Sequence, residues 1–271
     1  KKESNDKLGV VVSILPLADF VRNISGDKTD ITVIVPPGAN PHGYEPTANQ
    51  LDAIAQAALI IKAGSGVHFE NKWINRIAGF NRNIIVVDAS NGIKLIENDP
   101  HIWLSLKNAE IIVHNICDRL ITIDGKNREY YIRNSKNYIN RLSELDRDIH
   151  HMFDGIDMRG FIVYHPSWSY FARDYGLEQI SIENAGKEAT AKDIERMIKK
   201  ATEYNLSTVF ISPQFDSKSA EVVANEISGT IISLDPLPKN YIQSMRITAE
   251  RLAASMKSAN SAERHTSKPV K

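Results

Sequence analysis

The stretch from residue 125 to residue 153, GKNREYYIRNSKNYINRLSELDRDIHHMF, contains no proline and has glycine only at its first position. Its apolar and small residues recur at steps of three and four, which is the spacing of one helix face: Tyr131, Ile132, Ser135, Tyr138, Ile139, Leu142, Leu145, Ile149 and Met152. The pattern predicts one helix of about 27 residues, roughly 40 Å long. Unlike a flexible Gly/Ser linker, a packed helix of this length is expected to restrict the movement of the parts that it joins.

On the N-terminal side of this helix, short β-branched runs alternate with amphipathic segments. Strands are predicted at residues 9–14, 30–35, 59–62 and 83–87, and helices at residues 18–24, 47–58 and 69–78. Thr47 and Gln50 have the spacing of a capping box at the start of the second of these helices. An alternation of strand and helix predicts a parallel sheet covered on both faces.

The same alternation restarts after the long helix. Strands are predicted at residues 160–164, 178–182, 207–212 and 230–234, and helices at residues 168–175, 190–204, 217–227 and 239–256. The predicted fold class is therefore α/β, with two lobes joined by one long rigid helix. The expected limits are an N-terminal lobe at 8–124, a linker helix at 125–153 and a C-terminal lobe at 154–257, with polar, disordered ends at 1–7 and 258–271.

The composition excludes several classes of partner and site. Lys+Arg and Asp+Glu number 33 each, so the charge balance indicates neither nucleic acid nor an anionic membrane surface as a partner. Cys117 is the single cysteine, which excludes an internal disulfide and a cysteine-cluster metal site. No apolar run approaches the length of a membrane span. The polar start KKESNDK fits either a cytosolic N-terminus or a mature end from which an export signal has been removed.

The loop PPGANPHGYEP, residues 36–46, follows a predicted strand and carries one histidine, His42. Proline fixes φ and glycine permits unusual backbone angles, so a loop rich in both indicates a fixed position for that imidazole. His101 lies in a second proline-containing loop, NDPHIW. Imidazole is a common metal ligand, so these loops are candidates for ligand binding.

His165 and Asp235 directly follow predicted strands of the second lobe, in FIVYHPSW and IISLDPL. In open α/β sheets, ligands bind beyond the carboxyl ends of the strands. Together with His42 and His101 these residues make a donor set of three nitrogens and one oxygen, which tetrahedral zinc accepts readily. The alternative for each residue alone is a structural cap of its turn.

Several motifs together resemble the solute-binding proteins of zinc and manganese ABC transporters, the ZnuA/TroA-like group. The motifs are VIVPPGANPHGYEPT, NDPHIWLSL, VYHPSWSYFARDYGLEQISIE, GKEATAKDI and SLDPL, and the resemblance covers about residues 9–256. It implies two Rossmann-like lobes joined by one rigid backbone helix, with the metal held in the cleft. Carried over by motif, the implied ligands are His42, His101, His165 and Asp235.

The resemblance also implies the activity. The chain is expected to be an extracytoplasmic, monomeric binding protein that captures Zn²⁺ and delivers it to a membrane-embedded ABC permease, and not an enzyme. A zinc-dependent hydrolase, which would use three histidines and an open position, is the alternative from another class. Four protein ligands would leave little room for an activated water at the metal, and the sequence has no HExxH pair. Both features argue against a hydrolase. A surface adhesin is a third reading.

The metal and the fourth ligand depend on details of the match. Manganese-selective members tend to have a carboxylate where this chain has His165, so zinc is the expected cargo and Mn²⁺ the alternative. At the fourth position, water or another carboxylate is the alternative to Asp235. Ser105-Leu106 replaces an Asp-Pro that is common in the family, and Ser105 is still expected to cap the next helix. Glu45 and Glu183 are candidates to orient an imidazole, and His68 is a candidate substitute ligand.

Overall fold

The structure, a computed structural model, describes residues 7–81, 83–183, 189–215 and 218–266. The predictions made for residues 1–6, 186–188, 217 and 267–271 lie outside these ranges. The chain divides into two compact units. The N-terminal unit comprises Lys1–Glu144 and Leu237–Tyr241, and the C-terminal unit comprises Leu145–Pro236 and Ile242–Lys271.

A four-stranded parallel sheet with the strand order β2-β1-β3-β4 forms the centre of the N-terminal unit. Its inner strands, β1 and β3, are the most apolar and carry side chains that are fully buried, as the central strands of a doubly covered sheet must be. The elements in chain order are β1 (Leu8–Val12), α1 (Leu15–Ser25), β2 (Thr29–Val33), α2 (Ala48–Gln56), β3 (Leu59–Lys62), α3 (His68–Phe80), β4 (Ile85–Asp88) and α4 (Leu106–Ile123).

The long helix is present as α5, which runs without a break over the 25 residues Arg128–Met152. A short 3-10 turn at Gly125–Asn127 precedes it, so the α-helix begins three residues later than the predicted start. The division between the two units falls within α5, after Glu144. Tyr138 on its N-terminal half donates a hydrogen bond to Asp19 of α1, and Asp146 on its C-terminal half accepts one from Tyr175.

A second four-stranded parallel sheet, with the order β6-β5-β7-β8, forms the C-terminal unit. The strand order matches that of the first sheet, which confirms the predicted α/β class with two parallel sheets and a long helix. The elements are β5 (Gly160–Val163), α6 (Ser169–Tyr175), β6 (Glu178–Ser181), α7 (Ala191–Glu203), β7 (Thr208–Ile211), α8 (Lys218–Glu226), β8 (Thr230–Ser233) and α9 (Tyr241–Thr266).

The last helix is longer than predicted. It was expected to end near residue 256, with a disordered tail from residue 258, but α9 continues to Thr266. Residues 258–266 contain neither glycine nor proline, so nothing in the local sequence ends the helix. Ala259 is buried among the core residues of the C-terminal unit, and its carbonyl accepts a hydrogen bond from Asn205, which holds this turn in place.

Two predicted helix caps are confirmed. Thr47 and Gln50 form the full capping box at the start of α2. Ser105 accepts a hydrogen bond from the main-chain N–H of Asn108 and caps α4. Within the described ranges, no helix has both the length and the apolar content needed to cross a membrane.

Replacing Thr47 with alanine is expected to lower the free energy of unfolding by about 1 kcal/mol, because the exposed cap loses its side-chain acceptor. Denaturant titration of the purified protein measures the change. Thr47→Ser keeps the hydroxyl and is the matched control. Equal stability of the alanine and serine variants would show that the capping box does not stabilise α2.

Candidate metal-binding site

The loop that carries His42 is held in place by the side chain of Gln50. The Gln50 amide nitrogen donates to the main-chain oxygens of Ile34, at 2.6 Å, and Val33, at 3.3 Å. Its amide oxygen accepts a hydrogen bond of 2.9 Å from the hydroxyl of Tyr44. One side chain on α2 therefore joins the end of β2 to the far end of the loop.

The backbone on the near side of His42 is fixed by a local turn. The main-chain N–H of His42 donates to Oδ1 of Asn40 at 2.9 Å, an arrangement in which asparagine closes its own turn. The His42 side chain is half-buried. The loop thus presents its imidazole from a backbone that is restrained on both sides.

His101 is buried, with 6% of its surface exposed, and is oriented by Asp99. Oδ1 of Asp99 lies 2.7 Å from Nδ1 of the ring and also accepts a hydrogen bond of 2.9 Å from the His101 main-chain N–H. When a carboxylate accepts the hydrogen of Nδ1 in this way, a neutral ring keeps on Nε2 the lone pair that a metal requires.

His165 in the C-terminal unit has the same arrangement. Its Nδ1 lies 2.8 Å from Oε2 of Glu183, and both side chains are buried. Glu183 is itself positioned by its main-chain N–H, which donates to the oxygen of Tyr164 at the end of β5. The ring of Phe215 stacks on the imidazole, with centroids 4.3 Å apart and planes 22° apart. These contacts fix the orientation of the ring and leave Nε2 as the nitrogen that would bind a metal.

Asp235 follows β8 and accepts a hydrogen bond of 2.7 Å at Oδ1 from the amide nitrogen of Gln214. Only 9% of the Gln214 surface is exposed. Gln214 was not predicted from the sequence, although it follows β7 just as the other candidates follow their strands. Gln214 fixes one carboxylate oxygen of Asp235 and thereby limits how the group can rotate.

The structure places two of the four predicted ligands in each unit, all beyond the carboxyl ends of parallel strands. His42 and His101 follow β2 and β4, and His165 and Asp235 follow β5 and β8. Among the described residues, no three His, Cys, Asp or Glu side chains are grouped closely enough to hold a metal ion. The four-residue ligand set therefore stays a prediction.

The two carboxylates that the sequence put forward to orient an imidazole differ in outcome. Glu183 is hydrogen-bonded to His165, as expected. Glu45 instead forms an ion pair of 2.9 Å with Lys72, because its exposed position next to α3 brings it to the lysine. Asp99 was not considered in this role, although its position two residues before His101 and next to a proline was a local signal for it.

The fold is that of a solute-binding protein. The crystal structure of ZnuA superposes on the chain with a TM-score of 0.90 and 36% sequence identity, covering 93% of this chain and 100% of that one. The model of the family described as ZnuA, zinc-uptake complex component A, periplasmic, matches residues 10–255. The chain belongs to this family of metal ABC transporter substrate-binding proteins.

The relatives differ in the metal for which they are named. The chain is 29% identical to the manganese ABC transporter substrate-binding lipoprotein PsaA of Streptococcus pneumoniae, over 93% of this chain and 90% of the relative. It is also 29% identical to the high-affinity zinc uptake system protein ZnuA of Bacillus subtilis strain 168, over 86% and 79%. Members of the family are solute-binding proteins that bind metal ions and deliver them to a permease, and they are not enzymes. The expectation of a non-enzymatic protein is thereby confirmed, and the hydrolase alternative is discarded.

Replacing Glu183 with alanine is expected to weaken zinc binding by about 10–100-fold, the usual effect of removing a carboxylate that orients a ligating imidazole. Calorimetric titration of metal-stripped protein gives the affinity. Glu178→Ala, at the exposed first residue of β6, the strand that precedes Glu183, is the matched control and should leave the affinity unchanged. Equal affinities of the Glu183→Ala variant and the parent protein would mean that Glu183 has no part in metal binding.

Proposed function

We propose that this protein captures Zn²⁺ outside the cytoplasmic membrane and delivers it to a membrane-embedded ABC permease, with His42, His101, His165 and Asp235 as the metal ligands. The observation that carries the proposal is the pair of buried imidazoles whose Nδ1 atoms are each hydrogen-bonded to a buried carboxylate. This is the arrangement that proteins use to present Nε2 to a metal. The extracytoplasmic location is supported by relatives named as lipoproteins and by a family described as periplasmic.

The choice of zinc is supported by the types of donor atom. Three imidazole nitrogens suit zinc and its neighbours, whereas manganese favours a larger share of carboxylate and other oxygen ligands. Glu183 does not alter this balance, because its carboxylate is hydrogen-bonded to His165. A hydrogen-bonded carboxylate increases the basicity of the imidazole, and this strengthens a nitrogen–zinc bond.

Asp235 is proposed as the fourth ligand through a single oxygen. The amide of Gln214 engages Oδ1 of this carboxylate. A carboxylate held in this way is suited to monodentate binding, which fits a four-coordinate ion at bond lengths of about 2.0–2.2 Å. Larger coordination numbers, as hard cations prefer, require more oxygen atoms than this arrangement offers.

Replacing His42 with alanine is expected to weaken zinc binding at least tenfold, because one of four proposed ligands is lost. The fold should stay intact, since the His42 side chain is only half-buried. Calorimetric zinc titration and circular dichroism provide the two measurements. The control is His151→Ala, whose side chain is 79% exposed in the C-terminal unit. Unchanged zinc affinity of the His42→Ala variant would remove His42 from the ligand set.

Metal-stripped protein is expected to bind Zn²⁺ more tightly than Mn²⁺, as three nitrogen donors and the general order of metal affinities both require. Parallel calorimetric titrations with the two ions, or competition of each against the same chelator, decide the order. Tighter binding of Mn²⁺ would contradict the proposed cargo.

A further inference from the structure

The loop of His42 packs against the first turns of α3 through three side-chain contacts within the N-terminal unit. Tyr44 contacts Phe69, with ring centroids 6.1 Å apart, and Glu45 forms its ion pair with Lys72. The third contact is between His42 and His68, whose ring centroids are 6.3 Å apart. The packing therefore brings two imidazoles together, although they are 26 positions apart in the chain.

The start of α3, where His68 is the first helical residue, is firmly held. The buried side chain of Glu70 accepts hydrogen bonds from the main-chain N–H groups of Ala63 and Gly64, at 2.6 and 2.9 Å, and from the hydroxyl of Ser13. These bonds join the first turn of α3 to the ends of β1 and β3. The side chain of His68 is exposed, and these hydrogen bonds hold its backbone in place.

The spacing of the two rings is close to that of two ligands of one ion. With zinc–nitrogen bonds of about 2.0–2.1 Å, two imidazole centroids that share a tetrahedral ion lie about 5 Å apart. The observed distance of 6.3 Å between the two centroids is longer than this. Small changes in the side-chain torsions of the two histidines would bring the rings to the shorter spacing. Since His68 is exposed and His42 half-buried, an ion from solvent can reach the pair.

The charges around the pair determine which ions it can hold. Lys72 donates a hydrogen bond to Glu45 and lowers the pKa of that carboxyl, so the nearby carboxylate already has a cationic partner. The donors are then two neutral imidazoles, which favour zinc and its neighbours in the first transition row over Mn²⁺ or Mg²⁺. The positive end of α3 opposes a bound cation, so the affinity should be low and exchange fast.

We propose that His42 and His68 form an auxiliary metal-binding site, at which a zinc-type dication is first held by two imidazoles and water. The ion then transfers to the four-residue set, of which His42 is also a member. This proposal rests on the proposed function, because a capture site has a role only if a tighter site follows it. The chemistry is ligand exchange alone, with water displaced and no change in oxidation state.

The test uses the full chain with the His101→Ala and His165→Ala substitutions, which remove two ligands of the tight site and neither residue of the auxiliary pair. Zinc is titrated by calorimetry, and histidine ring nitrogens are followed by NMR. We expect one weak equivalent of zinc with shifts of the His42 and His68 rings, and no such shifts with Mg²⁺. Adding His68→Ala should weaken this residual binding at least tenfold, whereas adding His151→Ala should change it less than twofold. The absence of residual binding, or the same effect from both added substitutions, overturns the auxiliary site.

Association kinetics in the otherwise unaltered protein give a second measurement that needs no weakened variant. His68→Ala is expected to slow zinc association several-fold while the equilibrium affinity of the tight site changes less than threefold. An unchanged association rate, or a loss of the tight affinity itself, contradicts the proposal. The two proposals fail separately: undiminished tight binding after His101→Ala and His165→Ala refutes the four-residue set, whatever His68→Ala does.

Discussion

Parallel strand pairing is the constraint from which the rest of this structure follows. In each unit, four parallel strands have all their carboxyl ends at one edge of the sheet, and the inner strands are buried on both faces. In the middle of such strands, a polar side chain without a hydrogen-bond partner would be costly. The chemistry therefore belongs to the loops that leave the carboxyl ends, and the four candidate ligands all lie in loops of this kind.

A buried imidazole needs a hydrogen-bond partner, and its partner decides what it can do. His101 and His165 both meet this need with a buried carboxylate at Nδ1. A hydrogen bond to a carboxylate gives the buried imidazole the partner that it needs, and the same bond favours one tautomer of the ring. The backbone at His42, which is half-buried, is positioned by its turn with Asn40 and by its stiff loop. Hydrogen bonds to the ring therefore orient the proposed ligands His101 and His165, and backbone contacts restrain the loop of the proposed ligand His42.

Features that are local in sequence were predicted well. The β3 limits, the capping box of Thr47 and Gln50, and the cap at Ser105 all depend on residues within a few positions of one another. Contacts between distant positions were not accessible. The Gln50 amide reaches Val33 and Ile34 across 17 and 16 positions, and periodicity contains no signal for such a bond. The end of α9 was predicted too early although no glycine or proline ends the helix there, and the burial of Ala259 that supports this turn depends on the rest of its unit.

Distant contacts also fix the conformation of the His42 loop, which its prolines and glycines restrict only in part. Stiff residues narrow the set of conformations, but they do not select one of them. Gln50 on α2 and the side chains of α3 make that selection, through hydrogen bonds at one end and packing at residues 68, 69 and 72 along one helix face. A loop fixed in this way loses little further conformational entropy when its imidazole binds an ion, so more of the nitrogen–metal interaction appears as affinity. The same packing that restrains His42 places His68 next to it, so one set of contacts would serve both the stability of the loop and the exchange of the ion.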